Sequence, residues 1–199
     1  MNNRLYPIIE IFTSIQGEGF HMGKGTTFIR VAGCNLRCRW CDTQYSFDLS
    51  HARWMSAKEI LEENPMPHRH VVITGGEPTL YDLESLVREL HKANKYVAIE
   101  TNGTNPVPQE WGIDWITASP KPASGFTLGC HVDELKYVID DEFRIESIAE
   151  QNNLPEGRIY LQVESGRPES ALKAYDLINR YPNLGLRLGI QLHKFLNVR

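Results

Sequence analysis

His70-Val71-Val72-Ile73-Thr74-Gly75-Gly76-Glu77-Pro78 is an apolar, β-branched run that passes directly into two glycines and a carboxylate. Such a run reads as a strand buried in a parallel sheet. Behind it, Leu83, Leu86, Val87 and Leu90 recur at i, i+3, i+4 and i+7, the apolar stripe of an amphipathic helix. Strand, polar loop and helix thus form one unit. The pattern continues downstream. A strand at Tyr96–Glu100 runs into Thr101-Asn102-Gly103, and one at Trp115–Ala118 into Ser119-Pro120-Lys121-Pro122. Further strands read at Glu134–Ile139 and at Arg158–Val163, the latter running into Glu164-Ser165. A weak helix is expected over 142–152. Pro168 opens another through about Tyr181, with Leu172, Tyr175 and Ile178 on one face. A last strand, Gly185–Ile190, leads into Gln191-Leu192-His193-Lys194.

Alternating strands and helices predict an α/β fold with a mainly parallel sheet and crossover helices. A complete eight-unit barrel needs about 250 residues, and the chain has 199. A shortened, incomplete (β/α) barrel, one domain over residues 1–199, is the expectation. In such folds ligands bind at the carboxyl ends of the strands, which places the polar loops along one rim.

Upstream, residues 4–12 read as a first strand and Thr26–Val31 as a second, which carries Arg30. Between them lies Ser14-Ile15-Gln16-Gly17-Glu18-Gly19, a surface turn or a loop whose backbone approaches a ligand. Arg30 suits a salt bridge at the core edge or a carboxylate clamp. Ser56 and Glu59 have the spacing of a capping box opening a short helix.

The chain carries 21 basic and 25 acidic residues and a net charge of −4. No basic stripe appears, so nucleic acid is not an expected direct partner. No apolar run reaches the roughly 20 residues of a membrane span, and the N-terminus lacks the pattern of a signal peptide. A cytoplasmic enzyme is expected. There thiols stay reduced, and clustered cysteines point to metal rather than disulfide.

Cys34, Cys38 and Cys41 form a C-x3-C-x2-C cluster, while Cys130 stands far downstream. Three local thiolates fit two objects. One is zinc, completed by His21, His51 or Cys130. The other is a four-iron cubane in which one iron has no protein thiolate and is open to substrate.

C-x3-C-x2-C with Trp40 just before its third cysteine resembles the signature of the radical S-adenosylmethionine (SAM) superfamily. Gly75-Gly76-Glu77-Pro78 resembles that superfamily's GGE element. The fold implied is the incomplete barrel of radical-SAM type. With the Ser14–Gly19 loop, Cys41-Asp42-Thr43, Glu100–Gly103, Ser119-Pro120-Lys121 and Gln191–Lys194, nearly the whole chain is similar to the 7-carboxy-7-deazaguanine synthase family. That resemblance implies a 4Fe-4S cluster on Cys34, Cys38 and Cys41, SAM, and Mg2+ on Thr43. It implies SAM contacts from Trp40, Cys41, Asp42, Gly76, Glu77, Ser119, Pro120, Lys121, Gln162, Val163, Glu164 and Ser165. It implies contacts to a pterin substrate from Ile15, Gln16, Gly17, Glu18, Arg30, Thr74 and Arg199. The activity implied is conversion of 6-carboxy-5,6,7,8-tetrahydropterin to 7-carboxy-7-deazaguanine with release of ammonia, on the route to queuosine. An electron donor such as a flavodoxin or ferredoxin, and a homodimer, are implied as well.

Two other readings compete: an activase that makes a glycyl radical on a partner protein, and a non-catalytic zinc-binding module. Several residues have plainer expectations. Trp54, Trp111 and Trp115 read as packing residues, and His68 and His70 as solvated. His193 reads as a hydrogen-bonded structural histidine, Cys130 as a buried free thiol, and Glu10 and Asp82 as ion pairs or caps.

Overall fold

The computed structural model describes residues 4–199 except 64, 150, 152, 153 and 166. Two antiparallel strands, β1 (Leu5–Ile15) and β2 (Gly25–Val31), form a hairpin, and β3 (Arg53–Ser56) pairs antiparallel with the outer edge of β1. From β2 onward every pairing is parallel: β4 (His70–Gly75), β5 (Tyr96–Thr101), β6 (Trp115–Ala118), β7 (Glu134–Ile139), β8 (Ile159–Val163) and β9 (Leu186–Gly189). The described strands form one nine-stranded sheet in the order β3-β1-β2-β4-β5-β6-β7-β8-β9. It curves without closing, as expected of an incomplete barrel.

The period-two alternation of strands sorts the side chains. Val71, Ile73, Val97, Ile99, Ile116, Leu135, Tyr137, Ile159 and Leu161 join one apolar cluster with the helices. Helix α2 (Glu84–Lys92) adds Leu86, Val87 and Leu90, all fully buried. Thr74, Glu100, Lys136, Val138 and Gln162 lie one position away along the same strands and line a cavity on the opposite face. The outward face supplies stability, at about 1.5–3 kcal/mol for each large apolar side chain buried. The inward face is left for polar groups.

The capping box forms. Ser56 N donates to Glu59 Oε2 at 2.7 Å, and Glu59 N donates back to Ser56 Oγ at 3.3 Å, opening α1 (Ala57–Glu63). Glu10 and Arg30 face each other across the β1–β2 hairpin and pair at 2.8 Å.

Several expectations need correction. The first strand continues to Ile15, so Ser14 and Ile15 belong to the sheet and not to the loop. β3 was not anticipated, being four residues with two of them exposed. Nor was α5 (Leu192–Phe195), a single turn. The helix expected over 142–152 is α3 (Glu146–Ala149), and positions 150, 152 and 153 lie outside the described residues. Helix α4 (Pro168–Arg180) buries only part of the expected face: Leu172 and Tyr175 are 71% and 67% exposed, while Ile178 packs against the core. It packs through Ser170, Ala174, Leu177 and Ile178, with Ser170 Oγ donating to Ile139 O at 2.7 Å. His70 is not solvated. It is buried, with Nδ1 2.8 Å from Thr26 Oγ1, and burial lowers its pKa to about 4.

Ser56→Ala removes the reciprocal cap and is expected to cost about 1 kcal/mol of stability. Chemical denaturation monitored by circular dichroism measures it, and an unchanged midpoint would show that the cap contributes nothing.

Candidate active site

The cysteine loop leaves the carboxyl end of β2. Gly33 turns it with φ +86°, and Gly33 N donates to Ser46 O at 2.8 Å. The end of β4 crosses directly beneath. A Cβ on Gly75 would lie 2.1 Å from Val31 O, and one on Gly76 would lie 2.0 Å from Gly33 O. Only glycine allows this approach, and it lets Gly76 N and Glu77 N donate to Val31 O and Gly33 O at 3.0 and 2.7 Å. Side chains anchor the loop elsewhere. Trp40 Nε1 donates to Asp140 at 2.7 Å, Asn102 Nδ2 donates to Asn35 Oδ1 at 2.8 Å, and Arg39 pairs with Glu164 at 3.4 Å.

Cys34, Cys38 and Cys41 are free thiols, all half-buried on one cavity. Burial pushes the Cys34 and Cys38 thiols above their ordinary values, and the neighbouring Cys41 adds to both. Among the described residues, no group of three or more His, Cys, Asp or Glu sits closely enough for one metal ion. A mononuclear zinc needs such a group within bonding reach of one point. A cubane spreads its thiolates over three separate irons and fits three cysteines on one loop. Leu36 N, 3.4 Å from Cys34 Sγ, offers a sulfur the kind of hydrogen bond that tunes such clusters. Thr43 lines the cavity beside them, with Oγ1 3.6 Å from Cys41 Sγ.

The cavity, of about 390 Å3, runs from this loop through the interior of the open barrel. That size suits small molecules. It brings together Ile15, Gln16, Gly17, Glu18, Arg30, Trp40, Asp42, Thr74, Gly76, Ser119, Lys121, Gln162, Val163, Glu164, Ser165 and Arg199 from the sequence expectations. Two expected contacts do not reach it. Pro120 is buried but lines no part of the cavity. Glu77 is fully buried, and its carboxylate is occupied by Thr79 N (3.0 Å), Thr79 Oγ1 (2.6 Å), Thr101 Oγ1 (2.6 Å) and Asn102 N (2.6 Å). Its side chain ties the β4 loop to the β5 loop and lines no part of the cavity.

The Gln16–Lys24 hairpin loop is not at the rim with the other polar loops. Ile15 pairs with Gly25, so the loop sits at the amino ends of the parallel strands. It crosses the bottom of the barrel to Phe20 N, which donates to Glu134 at 3.0 Å. The C-terminal segment closes the gap between β1 and β9. Leu192 N donates to Gly17 O at 2.9 Å, and Arg199 pairs with Glu10. His193 has no hydrogen-bonded ring among the described residues. It packs on Gly17, where an added Cβ would meet Nδ1 at 1.9 Å, and it lines the cavity.

Sequence reasoning missed Lys136 and Glu100 on the floor of the cavity, beside the expected Gln16 and Glu18. Lys136, 9% exposed, places Nζ 2.5 Å from Glu18 Oε2 and 2.9 Å from Glu100 Oε2. Burial works against its charge, but the two carboxylates raise its pKa above the ordinary lysine value. Burial also opposes the Glu18 charge; Lys136 and Gln191 outweigh it and hold that carboxyl below its usual range. Burial, then Lys136, lowers Lys121 to about 8, and burial, then Glu100, raises Glu134 to about 7. Asp42 is held by Lys194 at 2.8 Å. A lysine in the strand Glu134–Ile139 was the one available signal, because charge inside an apolar strand needs a partner. Cys130, expected to be buried, is a free half-buried thiol, raised to about 11 by burial.

Three thiols on one loop above a small polar cavity in an open parallel barrel define an enzyme of the radical SAM class. Residues 28–118 match the model of the radical SAM superfamily. Members of that superfamily use a 4Fe-4S cluster and SAM. Among known proteins, the chain is 42% identical to a 7-carboxy-7-deazaguanine synthase of Bacteroides thetaiotaomicron, covering 96% of this chain and 98% of that one. It is 34% identical to one of Synechocystis, covering 98% and 94%. The crystal structure of QueE from Escherichia coli superposes with TM-score 0.73 at 28% identity, covering 95% of each chain. The chain belongs to the 7-carboxy-7-deazaguanine synthase family.

Glu77→Ala leaves several buried donors unpaired, each costing about 1–3 kcal/mol. The expected result is a stability loss of about 3 kcal/mol or more in chemical denaturation. A fully stable variant that loses only SAM affinity would return Glu77 to the ligand contacts.

Proposed function

We propose that the protein converts 6-carboxy-5,6,7,8-tetrahydropterin to 7-carboxy-7-deazaguanine with loss of ammonia, a step toward queuosine and other 7-deazapurines. The observation that carries this reading is one cavity lined at its mouth by Cys34, Cys38 and Cys41 and at its floor by Gln16, Glu18, Glu100 and Lys136. A floor of charged groups inside the barrel suits a small polar substrate better than a protein segment. When bound, the cluster with SAM supplies a 5′-deoxyadenosyl radical for hydrogen abstraction at the pterin, and the chain supplies position and charge.

Cys34, Cys38 and Cys41 hold the cluster. Gly76, Ser119, Lys121, the Trp40–Asp42 backbone and Gln162–Ser165 hold SAM. Lys121 Nζ lies 2.5 Å from Ser119 Oγ and 4.9 Å from the Trp40 ring centroid, so its ammonium is fixed near the cysteine loop, where a carboxylate would bind. Arg30 spends Nε on Glu10 and keeps its other N–H groups for the substrate carboxylate, with Arg199 beside it. Thr74 and the Ile15–Glu18 stretch bound the ring. Thr43 offers a neutral hard oxygen, which fits Mg2+, an ion that keeps most of its shell as water and substrate oxygen.

The single chain of 199 residues is read as one catalytic domain, cytoplasmic and homodimeric, reduced by a flavodoxin or ferredoxin. Among the described residues, no helix is long and apolar enough to cross a membrane.

Anaerobically reconstituted protein given carboxytetrahydropterin, SAM, Mg2+ and a reductant is expected to form 7-carboxy-7-deazaguanine and to contain about four irons and four sulfides per chain. A colourless protein with one zinc and no product would overturn the reading. Thr43→Ala is expected to lose its response to added Mg2+ while still cleaving SAM. Loss of cluster assembly in that variant would instead give Thr43 a structural role.

A further inference from the structure

Resting on the pterin reading of the cavity, we propose that Lys136 is a positioning residue: its ammonium locks Glu18 and Glu100 as ionised, oriented acceptors for the N–H edge of the substrate's aminopyrimidinone ring. The placement is specific. Lys136 projects from the third position of β7, Glu100 from β5, and Glu18 from the hairpin loop that crosses the bottom of the barrel. One ammonium therefore joins three elements distant in the chain. It contacts the Oε2 atom of each carboxylate, while the Oε1 atoms are steered by amides, Gln191 Nε2 to Glu18 at 2.7 Å and Gln16 Nε2 to Glu100 at 3.3 Å. Each ionised carboxylate has about four acceptor sites, so each retains capacity for a ligand donor.

The charge count explains why a lysine is needed. Two carboxylates sharing a buried site cannot both stay ionised without a cation, because like charges raise each other's pKa. A protonated carboxyl donates where the ring needs an acceptor. With Lys136 in place, the two carboxylates and one ammonium leave a net negative floor, complementary to ring and amino N–H groups and hostile to a second anion. The substrate carboxylate is thereby directed toward Arg30, away from Glu18 and Glu100. Other titratable groups facing this floor are Glu134 on β7, Lys121 after β6, Asp42 in the cysteine loop, and His193 and Lys194 on α5. Of the two cations among them, Lys121 sits against Ser119 and Lys194 against Asp42, and neither has a described contact with Glu18 or Glu100.

The test compares Lys136→Met and Lys136→Arg with the parent, all reconstituted. Turnover gives KM and kcat for the pterin across pH, and calorimetry gives the affinity for 7-carboxy-7-deazaguanine, which keeps the same ring edge, and for SAM. Lys136→Met is expected to raise the pterin KM at least about tenfold and to weaken product binding comparably, with SAM affinity within about twofold of the parent. Without the ammonium, Glu18 loses the main charge that holds its carboxyl below the usual range and takes up a proton at higher pH. The acid limb of kcat/KM should therefore move upward by about one pH unit or more. Lys136→Arg keeps the cation and should keep the limb where the parent has it. Should Lys136→Met not fold, Lys136→Gln is carried through the same measurements with the same direction expected. A fall in kcat alone, with KM, product affinity and the acid limb unmoved, would overturn the proposal while leaving the functional reading intact. Absence of product from the parent enzyme would overturn that reading and this proposal with it.

Discussion

Each inner strand of this barrel has to satisfy two environments at once. Alternate side chains face the helices, where only apolar groups are cheap to bury, and the others face a cavity that must hold polar chemistry. The pairing registers keep the sets aligned from strand to strand: Val71 opposite Val97, Ile73 opposite Ile99, Ile99 opposite Ile116 and Leu135 opposite Ile159 on the outer face. A slip of one residue in β7 would send Lys136 into the core and Leu135 into the cavity. The ion network at the cavity floor and the apolar layer outside it therefore depend on the same register.

Close backbone approach is the second constraint. Gly75 and Gly76 let β4 pass against Val31 and Gly33, and this brings the thiol-bearing loop over the mouth of the cavity. Glu77 then fastens the adjacent loops through four hydrogen bonds. In the Gly-Gly-Glu element the glycines approach the site, while the glutamate works inside the protein. The acid is buried among donors, although Gly75 and Gly76 beside it line the cavity.

Much of the architecture was legible because its signals are local. The β-branched runs at 70–74, 96–100 and 134–139, the helical stripe from Leu83 to Leu90 and the Ser56–Glu59 box each carry their own periodicity or cap. What escaped was short or held by distant partners. β3 is a four-residue edge strand stabilised by β1, and α5 is one turn whose Leu192 N is held by Gly17. Leu172 and Tyr175 show how apolar periodicity misleads. They face outward on α4, while the helix packs through Ser170, Ala174, Leu177 and Ile178.

By itself the sequence determined the class of chemistry. Three cysteines at fixed local spacing, a glycine pair at a strand end and a parallel α/β pattern are short-range features, and their meaning survives without coordinates. Tertiary structure decided which of these carboxylates line the cavity. Glu18, Glu77 and Glu100 each follow or end a strand-like segment, and nothing in their local sequence separates them. Only the fold buries Glu77 among backbone and hydroxyl donors and brings Lys136 between Glu18 and Glu100, since these contacts join residues 36 and 118 positions from the lysine. Burial and charge pairing are properties of the assembled barrel, and they enclose one acid among donors while leaving the other two on the cavity wall.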